Sequence, residues 1–372
     1  MSRELIGFAL LAIACIAISP FYKTPVRQLQ PKRDIVIIEE TRATTVKAVN
    51  TKSIVLLSDS FLPTTVAGSE LSAYETIKYL RDRGHQISIF VKEWEVPQYD
   101  GFKIYKYDLQ DSFCKETIVN CDLVFFQMGD DPKSLEIVKN RTKPVYIFIH
   151  LVDRYPWLLQ QKMSFPISVV YNSHMTQDTL PTLHENMRMI PYVETNRFTS
   201  LQGKTIQNDI VCLINCNHNK GGEFFKELAY KMSDVQFLGV KGGYSNQVID
   251  SRPPPNLTYI ENQKDIVAVF KKTGILVMPS KNETWGRTAV EAMAAGVPVI
   301  HSEAPGLVEC VGGAGIMCVH DDKDAWEDAI RRLITDRAYR ERIRQYGFNR
   351  VEEIKVEQIR GRRELAIKVE NS

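Results

Sequence analysis

A chain of 372 residues with 44% hydrophobic and 25% charged residues is too long for one compact core and too apolar for general disorder, so two domains with short appendages are expected. Its 47 Lys and Arg against 45 Asp and Glu leave a formal charge of +2, which supplies no field to gather nucleic acid. Seven cysteines without a dense framework exclude a disulfide scaffold and fit a reducing compartment.

At the amino end, Leu5 to Ile18 is uninterrupted apolar sequence, and Ser19 to Tyr22 extend it before Lys23. That length lies between a signal-peptide core of about 7 to 15 residues and a spanning helix of about 20. Lys23, Arg27, Lys32 and Arg33 follow, opposed only by Asp34, whereas the upstream flank has Arg3 and Glu4. Positive charge tends to stay on the cytosolic side, which favours an uncleaved single-pass anchor with the body in the cytosol over a cleaved signal or a buried helix. The glycosylation sequons at Asn140, Asn256 and Asn282 point the same way, because a lumenal body would risk a sugar beside Glu283. Residues 1–33 therefore read as anchor and basic flank, and 34–50 as a tether whose run Ile35 to Ile38 is a candidate strand.

From residue 53 short apolar runs alternate with amphipathic stretches, the βα pattern of an open parallel sheet. The runs are 53–57, 86–91, 122–126, 145–149 and 167–171, with a helix over 69–83 between the first two. A second series follows at 209–214, 235–240, 257–260, 275–278, 297–300 and 315–319. The polar stretch 191–208, with Pro191, Asn196 and Gly203, separates the series, giving domains over 51–193 and 194–350. Trp326, Ala329, Ile330, Leu333 and Ile334 mark an amphipathic helix. Residues 351–372 read as a charged C-terminal helix that can cross back to the first domain.

The chemistry concentrates in Pro279 to Pro298. A buried strand ends at Pro279, a polar loop follows, and a helix runs from about Gly286 to Ala295 before Gly296 stops it. Free amides of Gly286, Arg287 and Thr288 at that helix start would favour an anion such as pyrophosphate. Glu283 before the first turn and Glu291 in the second can reach opposite ends of one ligand through charge-assisted hydrogen bonds. By themselves, the two carboxylates could equally be a helix-end charge and a surface residue.

The pattern Glu-x7-Glu within Pro-Ser-x2-Glu-x-Trp-Gly-x3-Val-Glu-Ala-Met-Ala-x-Gly-Val-Pro-Val-Ile resembles the signature of retaining glycosyltransferase family 4, in the GT-B superfamily. The resemblance covers most of residues 53–350 and is strongest around Glu283 and Glu291. It implies two facing Rossmann-like α/β domains with parallel sheets, a donor nucleotide held mainly by the second, and transfer without a metal. It carries over further to Lys220, in Asn215-Cys-Asn-His-Asn-Lys-Gly-Gly, as a grip on the diphosphate. The family's Arg at the first of these positions is Asn215 here, so one cation is missing, and Arg287 at the helix mouth is the candidate substitute. Pro63-Thr-Thr-Val-Ala-Gly68-Ser-Glu70 resembles the family's Gly-Gly-x-Glu loop, with Ala67 in place of one glycine. His150, at a strand end, matches a polar residue presented to the sugars, and Glu309 resembles the Pro-Glu element near the donor sugar.

Other features take simpler readings. Asp322 and Asp324 precede the amphipathic helix and read as caps, not as a metal-binding Asp-x-Asp. Cys212, Cys216 and His218 lack a fourth ligand at metal-site spacing. The arginines between Arg331 and Arg344 are interleaved with acids, as on a solvated face.

The resulting expectation is a membrane-anchored hexosyltransferase moving a sugar from a UDP- or GDP-sugar to a glycan, lipid or other hydroxyl acceptor, with retention of configuration and no metal or cofactor. Glu283, Lys220 and His150 are the catalytic candidates. Glu291, Gly286, Arg287, Thr288, Gly68, Asn215 and Glu309 are the donor-binding ones. Alternatives are a nucleotide-sugar epimerase of the same architecture, or a catalytically silent sugar-nucleotide-binding partner.

Overall fold

The computed structural model describes residues 50–127, 132–139, 141–153, 155–202 and 208–372. The anchor, its basic flank, the tether up to residue 49, the candidate strand Ile35 to Ile38 and the sequon residue Asn140 lie outside them. Among the described residues no helix is long and apolar enough to cross a membrane.

The first sheet is built from β1 (Ser53–Ser58), β2 (Gln86–Val91), β3 (Gln98–Tyr99), β4 (Phe102–Lys106), β5 (Leu123–Gln127), β6 (Val145–Ile149), β7 (Ile167–Tyr171) and β8 (Glu185–Arg188). Their order is β3-β4-β2-β1-β5-β6-β7-β8, and all pairings are parallel except the hairpin β3-β4. β6 and β7 are buried along their whole length, as strands covered on both faces must be, which is why they read as unbroken apolar runs. The second sheet contains β9 (Val211–Ile214), β10 (Phe237–Val240), β11 (Leu257–Ile260), β12 (Ile275–Met278), β13 (Val299–His301) and β14 (Ile316–Met317). Its order is β11-β10-β9-β12-β13-β14, parallel throughout.

The helices that position the site are α1 (Gly68–Asp82), α2 (His174–Thr179), α3 (Gly222–Lys231), α4 (Arg287–Ala294) and α5 (Pro305–Val311). Beyond them lie α6 (Lys323–Thr335) and α7 (Arg337–Asn371). Asp322 caps α6, accepting from the Ala325 amide at 3.0 Å, while Asp324 pairs with Lys231.

The polar segment after β8 is not an open linker: Ile190, Val193, Phe198 and Leu201 are buried in the core around α4. The final helix is longer than its sequence reading, because α7 begins at Arg337 and continues unbroken for 35 residues. It packs Gly347 against Met293 in the second domain and Gly361 against Met189 at the end of the first sheet. Its Leu365, Ala366 and Val369 then enter the first-domain core. Gln358 donates to Pro191 O at 2.8 Å, and Arg362 lies between the rings of Tyr79 and Tyr192, 4.0 and 4.1 Å from their centroids. One rigid element thus ties both domains and their connection.

The arginines expected on a solvated face divide. Arg331 does pair with Asp234 and Glu327 at the surface, but Arg340 is buried, bonded to Asp209 and to the carbonyls of Asn208 and Gly274. Asn256, read as a sequon, is also buried. Its amide nitrogen donates to Ala229 O, Met232 O and Val235 O at 2.9, 2.9 and 2.8 Å, closing the carbonyl end of α3.

Candidate active site

Parallel strands deliver their carboxyl ends to one edge, and in each sheet that edge carries the candidate residues. In the second domain, Asn215 follows β9 with φ of 68°, and the chain turns into α3 through Gly221, with φ of 84°. A Cβ on Gly221 would lie 2.3 Å from Pro279 O, and one on Gly222 would lie 2.3 Å from Cys216 O. Only glycine allows this turn to press against the end of β12. Asn217 Oδ1 accepts from the Lys220 amide at 2.9 Å, which fixes the lysine beside the loop after Pro279.

There the Lys220 ammonium bonds the Glu283 carboxylate, with side-chain exposures of 19% and 11%. Burial works against the charged lysine, but Glu283, with Tyr244, outweighs it and the Lys220 pKa is raised, so the lysine stays charged. A buried pair of this kind is costly to break from one side only.

The Glu283 loop is anchored through its own backbone, by two amides and one hydroxyl. Lys281 N donates to Asn219 O at 2.9 Å, Ser302 Oγ to Ser280 O at 2.6 Å and Gly306 N to Glu283 O at 3.1 Å. A Cβ on Gly306 would lie 2.3 Å from Glu283 O, so this contact also demands glycine. Gly286 then caps α4. Of the three amides expected at this mouth, that of Arg287 is taken, donating to Trp285 O at 3.1 Å. Those of Gly286 and Thr288 have no backbone acceptor among the described residues.

The Arg287 side chain reaches along α4 and out of it. Its Nε lies 3.5 Å from Glu291 Oε1, and Nη1 donates to Tyr192 O in the interdomain segment. Burial raises the Glu291 pKa against the opposing charges of Arg287 and Arg197. Glu75 of α1 is raised by burial too, with Arg287 the leading charge that opposes it. The Asn215 side chain is engaged within its own domain, for its Oδ1 accepts from Gln247 Nε2 at 3.0 Å and it packs where a Cβ of Gly242 would otherwise be.

In the first domain, Gln127 ends β5, His150 follows β6 and Asn172 follows β7. His150 Nε2 lies 3.0 Å from Gln127 Oε1, and burial lowers the ring's pKa to about 4, so it is neutral near pH 7. Gly68 begins α1, where an added Cβ would meet nothing within 4 Å. Next to it, Glu70 accepts from Ser60 Oγ at 3.2 Å and Ser69 Oγ at 2.8 Å.

Several contacts join the facing edges. Thr284 Oγ1 donates to His150 O at 2.7 Å and accepts from Asn172 Nδ2 at 3.2 Å. Glu309, expected beside the donor sugar, places both carboxylate oxygens on first-domain amides, His174 N at 2.8 Å and Met175 N at 2.9 Å. In this structure it caps α2 across the interface. The Gly243 turn approaches Val66 so closely that a Cβ would lie 3.0 Å from Val66 O.

Thr284, Asn172 and Gln127 escaped the sequence reading. Each has a polar side chain at the carboxyl end of an apolar run or just beyond it, and that position is the signal that could have found them. Cys212 and Cys216 are buried thiols pushed up to about 12 by desolvation, and His218 is exposed. Among the described residues no three metal-ligating side chains converge.

Residues 218–350 match the family model described as glycosyl transferases group 1. A D-inositol 3-phosphate glycosyltransferase of Nocardioides sp. is 30% identical over 137 residues, 36% of this chain and 28% of that protein. The capsular polysaccharide biosynthesis glycosyltransferase CapM of Staphylococcus aureus is 32% identical over 100 residues, 26% of each. The chain thus spans only about a quarter of the length of these curated relatives. Among solved structures, the Anabaena protein HepE in complex with UDP and glucose superposes with a TM-score of 0.67 at 15% identity, over 86% of this chain and 99% of that one. Sucrose-phosphate synthase from Thermosynechococcus elongatus gives a TM-score of 0.66 at 14% identity, over 86% and 100%. The architecture is accordingly the two-domain α/β fold of these proteins, and the match to the glycosyl transferases group 1 model falls on the residues that carry the Lys220 turn and the Glu283 loop.

Proposed function

We propose that the protein is a glycosyltransferase that moves a sugar from a nucleoside diphosphate sugar to an acceptor hydroxyl, with retention of configuration and without a metal. The observation that carries this reading is the convergence of the Lys220–Glu283 pair with the start of α4 on one loop, faced by His150 of the first domain.

In this reading the donor diphosphate lies at the α4 mouth. Lys220 and the amides of Gly286 and Thr288 stabilise the charge that grows as the bond between the sugar and the diphosphate breaks, a task suited to preorganised donors. Glu283 holds Lys220 in place and orients the sugar, while Glu291 takes ribose hydroxyls. The acceptor hydroxyl attacks from the side the diphosphate leaves, and its proton passes to a donor phosphate oxygen, so no protein nucleophile is needed. Asn215 contributes no charge to the grip, which leaves Lys220 as its main cation. Attachment to the cytosolic face of a membrane through Leu5 to Tyr22 belongs to the same proposal.

Incubation with a panel of UDP- and GDP-sugars, with and without hydroxyl acceptors and in excess EDTA, tests it by mass spectrometry. Release of nucleoside diphosphate together with a glycosylated acceptor is expected. An isomerised sugar nucleotide, or turnover restored only by Mg²⁺ or Mn²⁺, would contradict it.

A further inference from the structure

His150 is held in two ways. Its carbonyl accepts from Thr284 Oγ1 at 2.7 Å, and its ring meets Gln127 Oε1 through Nε2 at 3.0 Å. Gln127 is itself oriented, because its Nε2 donates to Ser69 O at 3.1 Å, in the first turn of α1. A carbonyl can only accept, so the amide nitrogen must face Ser69 and the amide oxygen must face His150. That oxygen in turn can only accept, so a neutral His150 must carry its proton on Nε2. Among the described residues none donates to Nδ1, whose lone pair is left available.

We propose that Gln127 is a positioning residue that fixes His150 as the Nε2–H tautomer, so that Nδ1 can accept a hydrogen bond from a hydroxyl of the sugar bound at this edge. The tautomer follows from a chain of three groups on α1, β5 and β6, with Ser69 O at its head. The inference deepens the glycosyl-transfer reading in one respect: the ring at this edge accepts a proton-bearing group and does not donate. A sugar carrying a hydroxyl there is therefore favoured over its deoxy or O-methyl counterpart.

Burial keeps the ring neutral, with a pKa lowered to about 4, so the tautomer is the relevant species at neutral pH. The distinction matters because a site with an unpaired acceptor discriminates strongly against a ligand that lacks the matching donor.

The test is nitrogen NMR of the full protein labelled at histidine, with the His150 signals assigned by their loss in His150→Asn. At pH 7 the wild type should show a protonated Nε2 and an unprotonated Nδ1. Gln127→Leu should collapse that pattern toward a mixture of tautomers, and Gln127→Leu kcat/KM should fall about tenfold with the fold intact by circular dichroism. A His150 protonated on Nδ1 or on both nitrogens in the wild type, or an unchanged pattern in Gln127→Leu, would overturn the inference. The spectra need no substrate, so failure of the wild type to turn over any sugar nucleotide would count against the glycosyl-transfer reading alone.

Discussion

The two edges that face each other are built by different means. The second-domain edge is made of backbone: Gly221, Gly222 and Gly306 each sit where an added Cβ would lie 2.3 Å from a carbonyl oxygen, and the Lys220–Glu283 pair rests on the turns they allow. The first-domain edge is made of side chains, with Gln127 bonded to the His150 ring, Asn172 reaching across to Thr284, and Gly68 in open space. A close backbone approach admits one residue type, whereas a hydrogen bond can be made by several. The difference teaches that a rigid cradle for charge stands opposite a face whose chemistry can vary, as the proposed transfer from one kind of leaving group would require.

This contrast can be broken by substitution. Lys220→Ala should have the largest effect, lowering kcat/KM by about 10² or more, because it removes the main cation and strands a buried Glu283. Steady-state kinetics checks it, and wild-type turnover would move the charge stabilisation elsewhere. Gly306→Ala should destabilise the protein by about 2 to 3 kcal/mol in urea unfolding, since the backbone at Glu283 and Thr284 cannot yield. Gly68→Ala, by contrast, should change stability by less than about 0.5 kcal/mol. Equal losses in the two variants would erase the distinction between the edges.

Glu291→Ala should weaken binding of the nucleoside diphosphate by roughly 1.5 to 2 kcal/mol if its carboxylate bonds ribose hydroxyls, a difference calorimetry resolves. Smaller still, Thr284→Val should remove the link to His150 O and Asn172 and lower kcat about tenfold, with nucleotide affinity kept and Thr284→Ser restoring the rate. A parallel loss of affinity would place Thr284 in the nucleotide grip instead.

Much of the fold was legible because buried parallel strands are apolar runs: β6, β7 and β12 are buried throughout and coincide with the expected segments, as do the partly buried β2 and β11. The β3-β4 hairpin and β8 were not, since β3 is a two-residue edge strand, β4 alternates apolar with polar residues and β8, Glu-Asn-Met-Arg, is a polar edge strand. Asp100-Gly101, both at positive φ between β3 and β4, is a hairpin signal that was there to be used. The length of α7 was hidden because the one face it buries carries Arg340, Gly347, Gln358 and Gly361 among its apolar residues, so the stripe does not read as apolar.

Of the residues the sequence singled out, Lys220, Glu283 and the start of α4 lie together in the fold. It did not reveal that Arg287 is engaged by Glu291 and Tyr192 O, or that Glu309 caps α2. Both facts depend on which residue stands opposite in space, and charge alone does not say where a long side chain will go.

The central claim is that the Lys220 turn and the Glu283 loop grip a nucleoside diphosphate with protein charge alone. Calorimetric titration of UDP and GDP into the wild type and into Lys220→Ala, both in EDTA, tests it most directly. The account predicts that one of the nucleotides binds the wild type without metal and that the variant binds it at least tenfold more weakly. Equal affinity in the two proteins, or binding that appears only after Mg²⁺ or Mn²⁺ is added, would contradict it.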